Sequence, residues 1–309
     1  MKVIPSEEGV RLQRWMQQHY PALAYSVFQK CLRQGRILVN GVPVRSNVSL
    51  CSNQDIQLVD CRMQQENRST SDPIAHRNHL EALVYQLRTL VCHEETRFLA
   101  LNKPVGFAVQ GGSKIHHSID TLLRASFIVT GERLLLVHRL DQMTSGLLLI
   151  AKGRTNAEHF ASLFKERRAQ KTYLAVTHGI PSPRKGHVSA PIIKKRFARE
   201  ERIVVDYQFG QSAETAYCVQ ETCGPYALLK LHPLTGRTHQ LRVHCASILK
   251  TPIVGDSKYG NEYSVFKKEK MGMMLHANQL HLPGLPVLTA PIPERFFVFI
   301  KGSAISKIR

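Results

Sequence analysis

The segment from Arg133 to Lys152 reads RLLLVHRLDQMTSGLLLIAK. Its two aliphatic runs, Leu134–Val137 and Leu147–Ala151, each have the length and composition of a buried strand. Between them lies a polar knot: His138, Arg139, Leu140 and Asp141, then Thr144, Ser145 and Gly146. Burying both runs holds the knot rigidly, and Thr144-Ser145-Gly146 supplies hydroxyls and a permissive backbone at its tip. An aspartate after a strand is most often a turn residue or helix cap. Asp141 needs a second feature before it can be assigned chemistry.

That feature lies downstream. The run HPLTGRTHQLRVH (232–244) offers Arg237, His239, Arg242 and His244. A guanidinium beside a carboxylate favours the charged form that a nucleophile needs, so one of these cations is expected to sit against the aspartate. The whole chain is basic. Lys+Arg is 42 against Asp+Glu 23 in 309 residues, a formal net charge of +19. Such an excess implies a polyanionic partner. No apolar run approaches membrane-span length, no basic amphipathic helix with a wide apolar face points to a membrane surface, and the N-terminus MKVIPSEEGV lacks a signal-peptide core. A cytoplasmic protein is expected. Seven scattered cysteines without a CxxC pair argue against a zinc site or a disulfide framework, and predict reduced, mostly buried thiols.

Residues 10–60 read as a small module, taken with the N-terminus as a domain over 1–60. Leu12, Trp15, Met16 and His19 recur at helical spacing, and Pro21 ends that helix. Ser26–Gln29 has the pattern of a capping box, opening a second helix with Val27, Phe28, Cys31 and Leu32 on its apolar stripe and Gly35 as its stop. Ile37–Val39, Asn40-Gly41 and Val42–Val44 predict a tight hairpin. Arg11, Arg14, Lys30, Arg33, Arg36 and Arg45 stud this unit, which is too small to hold an active site and is dense enough in charge to predict RNA binding. With Ser26 heading the second helix and the run RQGRILVNG (33–41), it resembles the S4 RNA-binding domain.

Residues 61–87 predict a linker and a short helix, with Leu80, Leu83, Val84 and Leu87 at helical spacing. A second domain follows over 88–309. Its expected strands are 98–101, 134–137, 147–151, 173–177, 203–207, 227–231 and 296–300. Thr155–Glu158 reads as a capping box before a helix carrying Phe160 and Phe164, and another helix is expected from Thr238 or His239 through Cys245. Lys185, Lys194, Lys195, Arg196, Arg199 and Arg202 make the stretch 184–202 basic, as a solvated loop or a phosphate-contacting flap. The fold class expected is α+β: a helix-helix-hairpin domain, then a mixed, largely antiparallel sheet.

The run HRLDQMTSGLLLIAK (138–152) resembles the signature of the RluA family of RNA pseudouridine synthases. Further family motifs follow the expected order: LNKPVG (101–106) before it, then KTYLAV (171–176), GRTHQLR (236–242), VGDSKYG (254–260), LHA (275–277) and APIP (290–293). The run AVQGGS (108–113) is closest to the RluC subgroup, which has histidine where this chain has Gln110. An S4 module ahead of this domain is usual in members that modify large-subunit (23S) ribosomal RNA.

The resemblance implies isomerisation of uridine without a cofactor or metal: the C1′–N1 bond breaks, the base rotates, and C1′ rejoins at C5. Asp141 would be the essential carboxylate, acting on C1′, on the ring or on a sugar proton. Arg242 would pair with it. Tyr173 would stack on the target base, and Arg139 would enter the helix as the nucleotide leaves it. Arg237 and His239 would join these in contacting RNA. Two rivals remain. A glycoside hydrolase normally needs two carboxylates, and Asp256 is the only obvious second one. A non-catalytic ribosome-assembly protein would fit the charge and the S4-like module, but has no need of Asp141, Tyr173 and Arg242 together. A monomer is expected, since no coiled-coil heptad is present.

Overall fold

The computed structural model describes residues 1–20, 23, 25–59, 73–111, 117–197, 200–260 and 272–297. Two compact units divide between His76 and Arg77. The expected helix stop at Pro21, the linker residues 61–72, Gly112-Ser113 of the subgroup motif and Arg199 lie outside the described residues.

The first unit contains α1 (Leu12–His19), α2 (Tyr25–Arg33) and strands β1 (Ile37–Val39), β2 (Val42–Val44) and β3 (Ile56–Leu58). The strands form an antiparallel sheet in the order β2-β1-β3. Leu12, Trp15 and Met16 of α1 meet Phe28, Cys31 and Leu32 of α2 over Ile37, Val39 and Ile56, as the helical spacing predicts. Asn40 and Gly41, at φ 51° and 79°, make the hairpin turn. Two expectations change. Helix α2 begins at Tyr25, so Ser26 falls inside its first turn and is not its cap. Cys31 is disulfide-bonded, not a reduced thiol, whereas Cys51, Cys92, Cys218, Cys223 and Cys245 are free. Arg11, Arg14, Lys30 and Arg33 are exposed and Arg36 is half-buried.

The chain continues through α3 (Pro73–Thr89), β4 (Val91–Glu94), β5 (Phe98–Lys103), α4 (Ile119–Thr130), β6 (Leu134–Leu136), β7 (Ser145–Lys152) and α5 (Arg154–Lys165). Then come β8 (Gln170–His178), β9 (Lys185–Ser189), β10 (Ile192–Arg196), β11 (Glu201–Val205), β12 (Glu214–Cys223), β13 (Tyr226–Pro233), α6 (Gln240–Val243), β14 (Leu275–His281) and β15 (Leu288–Thr289). Eight strands run in the order β4-β5-β7-β14-β8-β13-β12-β9, with β6 added to β7 and β15 to β14. Among the described strands only β7 and β14 pair in parallel. Strands β10 and β11 form a separate hairpin, so the basic stretch is not a plain loop. One sheet face packs on α3 and α4 through Leu83, Leu87, Leu122 and Leu148, the other on α5 through Phe160 and Leu163.

The predicted capping box at Thr155 is absent. The N-cap of α5 is Gly153, and the first turn is fixed instead by Asn156 Nδ2 donating to Lys152 O at 2.7 Å and by an Arg154–Glu158 ion pair. Of the strand predicted at 296–300, Phe296 ends the 3-10 helix Glu294–Phe296 instead, and residues 298–300 lie outside the described residues.

One glycine is indispensable to the sheet. Gly146 has φ 106° and faces Ala277 across the parallel pair. A Cβ added there would lie 2.2 Å from Ala277 O. Gly131, the C-cap of α4 at φ 74°, has open space around it. Gly146→Ala should therefore cost well over the roughly 1–2 kcal/mol of a left-handed residue alone, and Gly131→Ala about that amount. Urea denaturation of both variants checks this, and equal losses would contradict it.

Candidate active site

The loop carrying Asp141 leaves the sheet where β6 runs out. The β6–β7 ladder ends at Leu136–Ile150, and the next inward N–H, that of Leu149, donates to His138 Nε2 at 2.8 Å. The His138 ring stacks on Phe164 of α5, with centroids 4.4 Å apart. Burial, and then the charge of Lys171, push its pKa down to about 3. His138 is thus a neutral acceptor that ends one strand and starts the loop. Thr144 N closes the turn on Asp141 O at 3.0 Å.

Lys103 holds the other side. Fully buried at the end of β5, its Nζ donates to Pro104 O, Phe107 O and Gln142 O at 3.0, 2.8 and 3.0 Å. The turn at 104–107 and the residue after Asp141 are tied by one ammonium. Burial pushes its pKa down to about 7, opposed by the charge of Asp141.

Asp141 opens into a cavity of about 560 Å³. Arg139, Tyr173, Arg237, His239 and Arg242 line the same cavity, so the second-domain residues singled out in the sequence converge. Arg11, Arg14, Lys30, Arg33 and Arg36 belong to the first unit. Lys165, Arg167 and Lys171 add further cations to the lining, and among the described residues Asp141 is the only carboxylate in it. Lys171 went unremarked, although it lies two residues before Tyr173 on β8 and strand alternation puts both on one face. Burial, then Asp141, push the Tyr173 phenol above its ordinary value, so it is a neutral ring at physiological pH.

Helix α6 supplies the far wall. Gln240, buried at its start, bonds Thr235 Oγ1 at 2.7 Å and Glu214 O at 2.8 Å, fixing the 235–240 loop to β12. Arg242 does not pair directly with Asp141. Its Nε and Nη2 each donate to Asp256 at 2.7 Å, and both side chains are buried. Burial opposes the Arg242 charge, and Asp256 more than offsets it. Asp256 also accepts from the backbone N–H groups of Lys258 and Tyr259, so it braces the loop and does not line the cavity. Among the described residues the basic side chain within 4.0 Å of the Asp141 carboxylate is His239, with Nε2 3.9 Å from Oδ2. Among the described residues no group of three His, Cys, Asp or Glu side chains could hold a metal ion.

Residues 97–247 match the family model for RNA pseudouridylate synthase. Over 284 residues the chain is 36% identical to ribosomal large subunit pseudouridine synthase C of Rickettsia bellii, covering 88% of this chain and 89% of that protein. The chain belongs to the RluA family of RNA pseudouridine synthases. The protein of the same name from Escherichia coli K12 is 31% identical over 283 residues, covering 92% and 86%. The solved structure of human RNA pseudouridylate synthase domain containing 4 is 30% identical, with TM-score 0.59 over 72% of this chain and 95% of that one.

Two outcomes follow for this synthase. Replacing Asp256 leaves a buried guanidinium uncompensated, a loss of about 3–5 kcal/mol. Asp256→Asn should therefore cost far more stability than Asp141→Asn, and comparable melting temperatures would contradict the pairing. His138 gives a pH signature. It stays neutral in the fold down to about pH 3, whereas the unfolded chain takes up that proton near 6.5. The unfolded state therefore binds more protons between those values, and stability falls as pH drops through that window. His138→Gln keeps an acceptor for Leu149 and gains no proton. Below pH 6 the wild type should lose about 1.4 kcal/mol per pH unit relative to it. A difference that stays flat from pH 7 to 5 excludes this role.

Proposed function

We propose that this synthase converts uridine to pseudouridine in large-subunit ribosomal RNA, with Asp141 as its catalytic carboxylate. The observation that carries this reading is that, among the described residues, one carboxylate lines a cavity that also presents three arginines besides Arg139, two lysines and Tyr173. Such a wall attracts an RNA backbone and brings one acid to the base. A two-carboxylate hydrolase is disfavoured by the same geometry. Asp256, its only candidate partner, is buried and spent on Arg242. The relatives named as large-subunit pseudouridine synthases support the substrate class.

The nucleotide must leave its stack to reach Asp141, at a cost of roughly a few kcal/mol. Arg139, which is exposed and lines the cavity, would fill the vacated space in this reading. Tyr173, neutral and half-buried, offers a ring face to the extruded base. Arg242, fixed by Asp256, contributes positive charge near Asp141 without a direct bond to it. Each of the three routes open to the carboxylate ends alike: the C5 hydrogen leaves as C5 takes the bond to C1′.

Residues 1–60 serve in this reading as an S4-like RNA-binding domain, with exposed Arg11, Arg14, Lys30 and Arg33 on its helices and their ends. We take the protein to act as a cytoplasmic monomer. Among the described residues no helix is long and apolar enough to cross a membrane.

Tritium release from ribosomal RNA labelled at uridine C5 tests the assignment. Wild type should release tritium without free uracil, and Asp141→Asn should release none. Release by the variant would remove Asp141 from the chemistry. A chain lacking residues 1–60 should bind RNA less tightly but keep its single-turnover rate at saturating enzyme, and a large fall at saturation would contradict the assigned division of labour.

A further inference from the structure

His239 has both ring nitrogens engaged in different directions. Nδ1 lies 2.8 Å from the Tyr259 hydroxyl, and Nε2 faces Asp141 Oδ2 at 3.9 Å. The residue takes φ 55° at the N-cap of α6, a left-handed conformation that is uncommon for histidine and clusters at functional sites. The charged groups acting on the ring are Asp141, Arg242, Lys258 and Asp256, and burial outweighs them in holding the imidazole neutral. A neutral imidazole carries one hydrogen, and the partner of one nitrogen decides where it sits.

Tyr259 makes that decision. Its hydroxyl oxygen already accepts the Ile203 N–H from β11 at 3.1 Å. Its own hydrogen then goes to His239 Nδ1, the arrangement that satisfies all three groups. The hydrogen of the imidazole is left on Nε2, on the side of Asp141. Tyr259 is itself held on two sides. Its backbone N–H donates to Asp256 Oδ1 at 3.1 Å, and the Arg242 guanidinium lies 5.0 Å from its ring centroid.

We propose that Tyr259 locks His239 in the Nε2–H tautomer, making His239 the positioning residue that aims Asp141. The inference rests on the reading of Asp141 as the catalytic carboxylate. At 3.9 Å Nε2 lies close to the carboxylate but beyond hydrogen-bond distance. Such contacts commonly tighten only when substrate is bound.

A double-mutant cycle separates the lock from simple bracing of β11. Tyr259→Phe removes only the hydroxyl and keeps the ring under Arg242. Its single-turnover rate should fall about 3- to 10-fold, the value of one hydrogen bond, with RNA affinity within about twofold. In His239→Gln the amide nitrogen replaces Nε2–H and has no tautomer to lock. This variant should retain more activity than His239→Ala, and adding Tyr259→Phe to it should cost less than about twofold. An equal cost of Tyr259→Phe in both backgrounds would overturn the proposal. Nitrogen-15 NMR of the histidine rings gives a readout independent of activity. The wild-type His239 should carry its hydrogen on Nε2, and Tyr259→Phe should show a mixture. A wild-type Nδ1–H would sink the proposal whatever the kinetics. Retained activity of Asp141→Asn would instead sink the assignment of Asp141 and leave the tautomer result standing.

Discussion

The second unit depends on one row of backbone pairing. Lys103 of β5 pairs with Gly146 of β7, Gly146 with Ala277 of β14, Ala277 with Tyr173 of β8, and Tyr173 with Leu231 of β13. Its second link is the parallel one among the described strands, and it joins two antiparallel parts into one sheet. A side chain at position 146 would collide with the Ala277 carbonyl. The row fixes where the Asp141 loop emerges, because β7 begins at Ser145. It also fixes Tyr173 two strands away from that loop. The distance between carboxylate and ring is thus set by this row together with the Lys103 and His138 bonds that hold the Asp141 loop, which suits chemistry that tolerates little misplacement.

Around this row the structure buries charge that gains little stability by itself. A buried ion pair or ammonium costs desolvation and returns orientation. Lys103 binds three carbonyls and so holds the 104–107 turn against Gln142. Ser145 Oγ lies 3.0 Å from His276 Nδ1 and accepts from Arg295 Nη2 at 2.6 Å, joining β7, β14 and the chain after β15. In each case a polar group links segments far apart in sequence that flank the carboxylate loop. The substitutions that loosen these links are therefore expected to disturb the site before they unfold the domain.

The sequence carried the Asp141 knot, both helices and the hairpin of the first unit, and the convergence of Arg139, Tyr173, Arg237, His239 and Arg242. Each of these rests on a local pattern: apolar runs, helical spacing, an Asn-Gly turn, or a family motif. Strand β14, the centre of the sheet, was missed. It reads LHANQLH, and its buried polar residues find partners elsewhere in the fold: His276 Nδ1 meets Ser145, and Asn278 bonds Ala290. No local pattern announces a strand whose buried polar side chains are partnered outside it. Ser26 and Thr155 failed for the opposite reason. Their spacing fits a capping box, but the neighbouring residues Tyr25 and Arg154 already take helical conformation. The partner of Arg242 was also hidden, since motif order cannot tell which of two aspartates a buried guanidinium meets.

That last correction changes how the site works. Had Arg242 been spent on Asp141, the carboxylate would be neutralised by a bidentate clamp and held away from substrate. With Asp256 taking both guanidinium bonds, Arg242 contributes field without occupying the oxygen atoms of Asp141. The same Asp256 accepts the Tyr259 N–H, and Tyr259 meets His239. One buried carboxylate therefore organises both the cation and the imidazole that line the cavity with half-buried Asp141. On the proposed reading Asp256 is committed to structure, which leaves Asp141 open to the nucleotide.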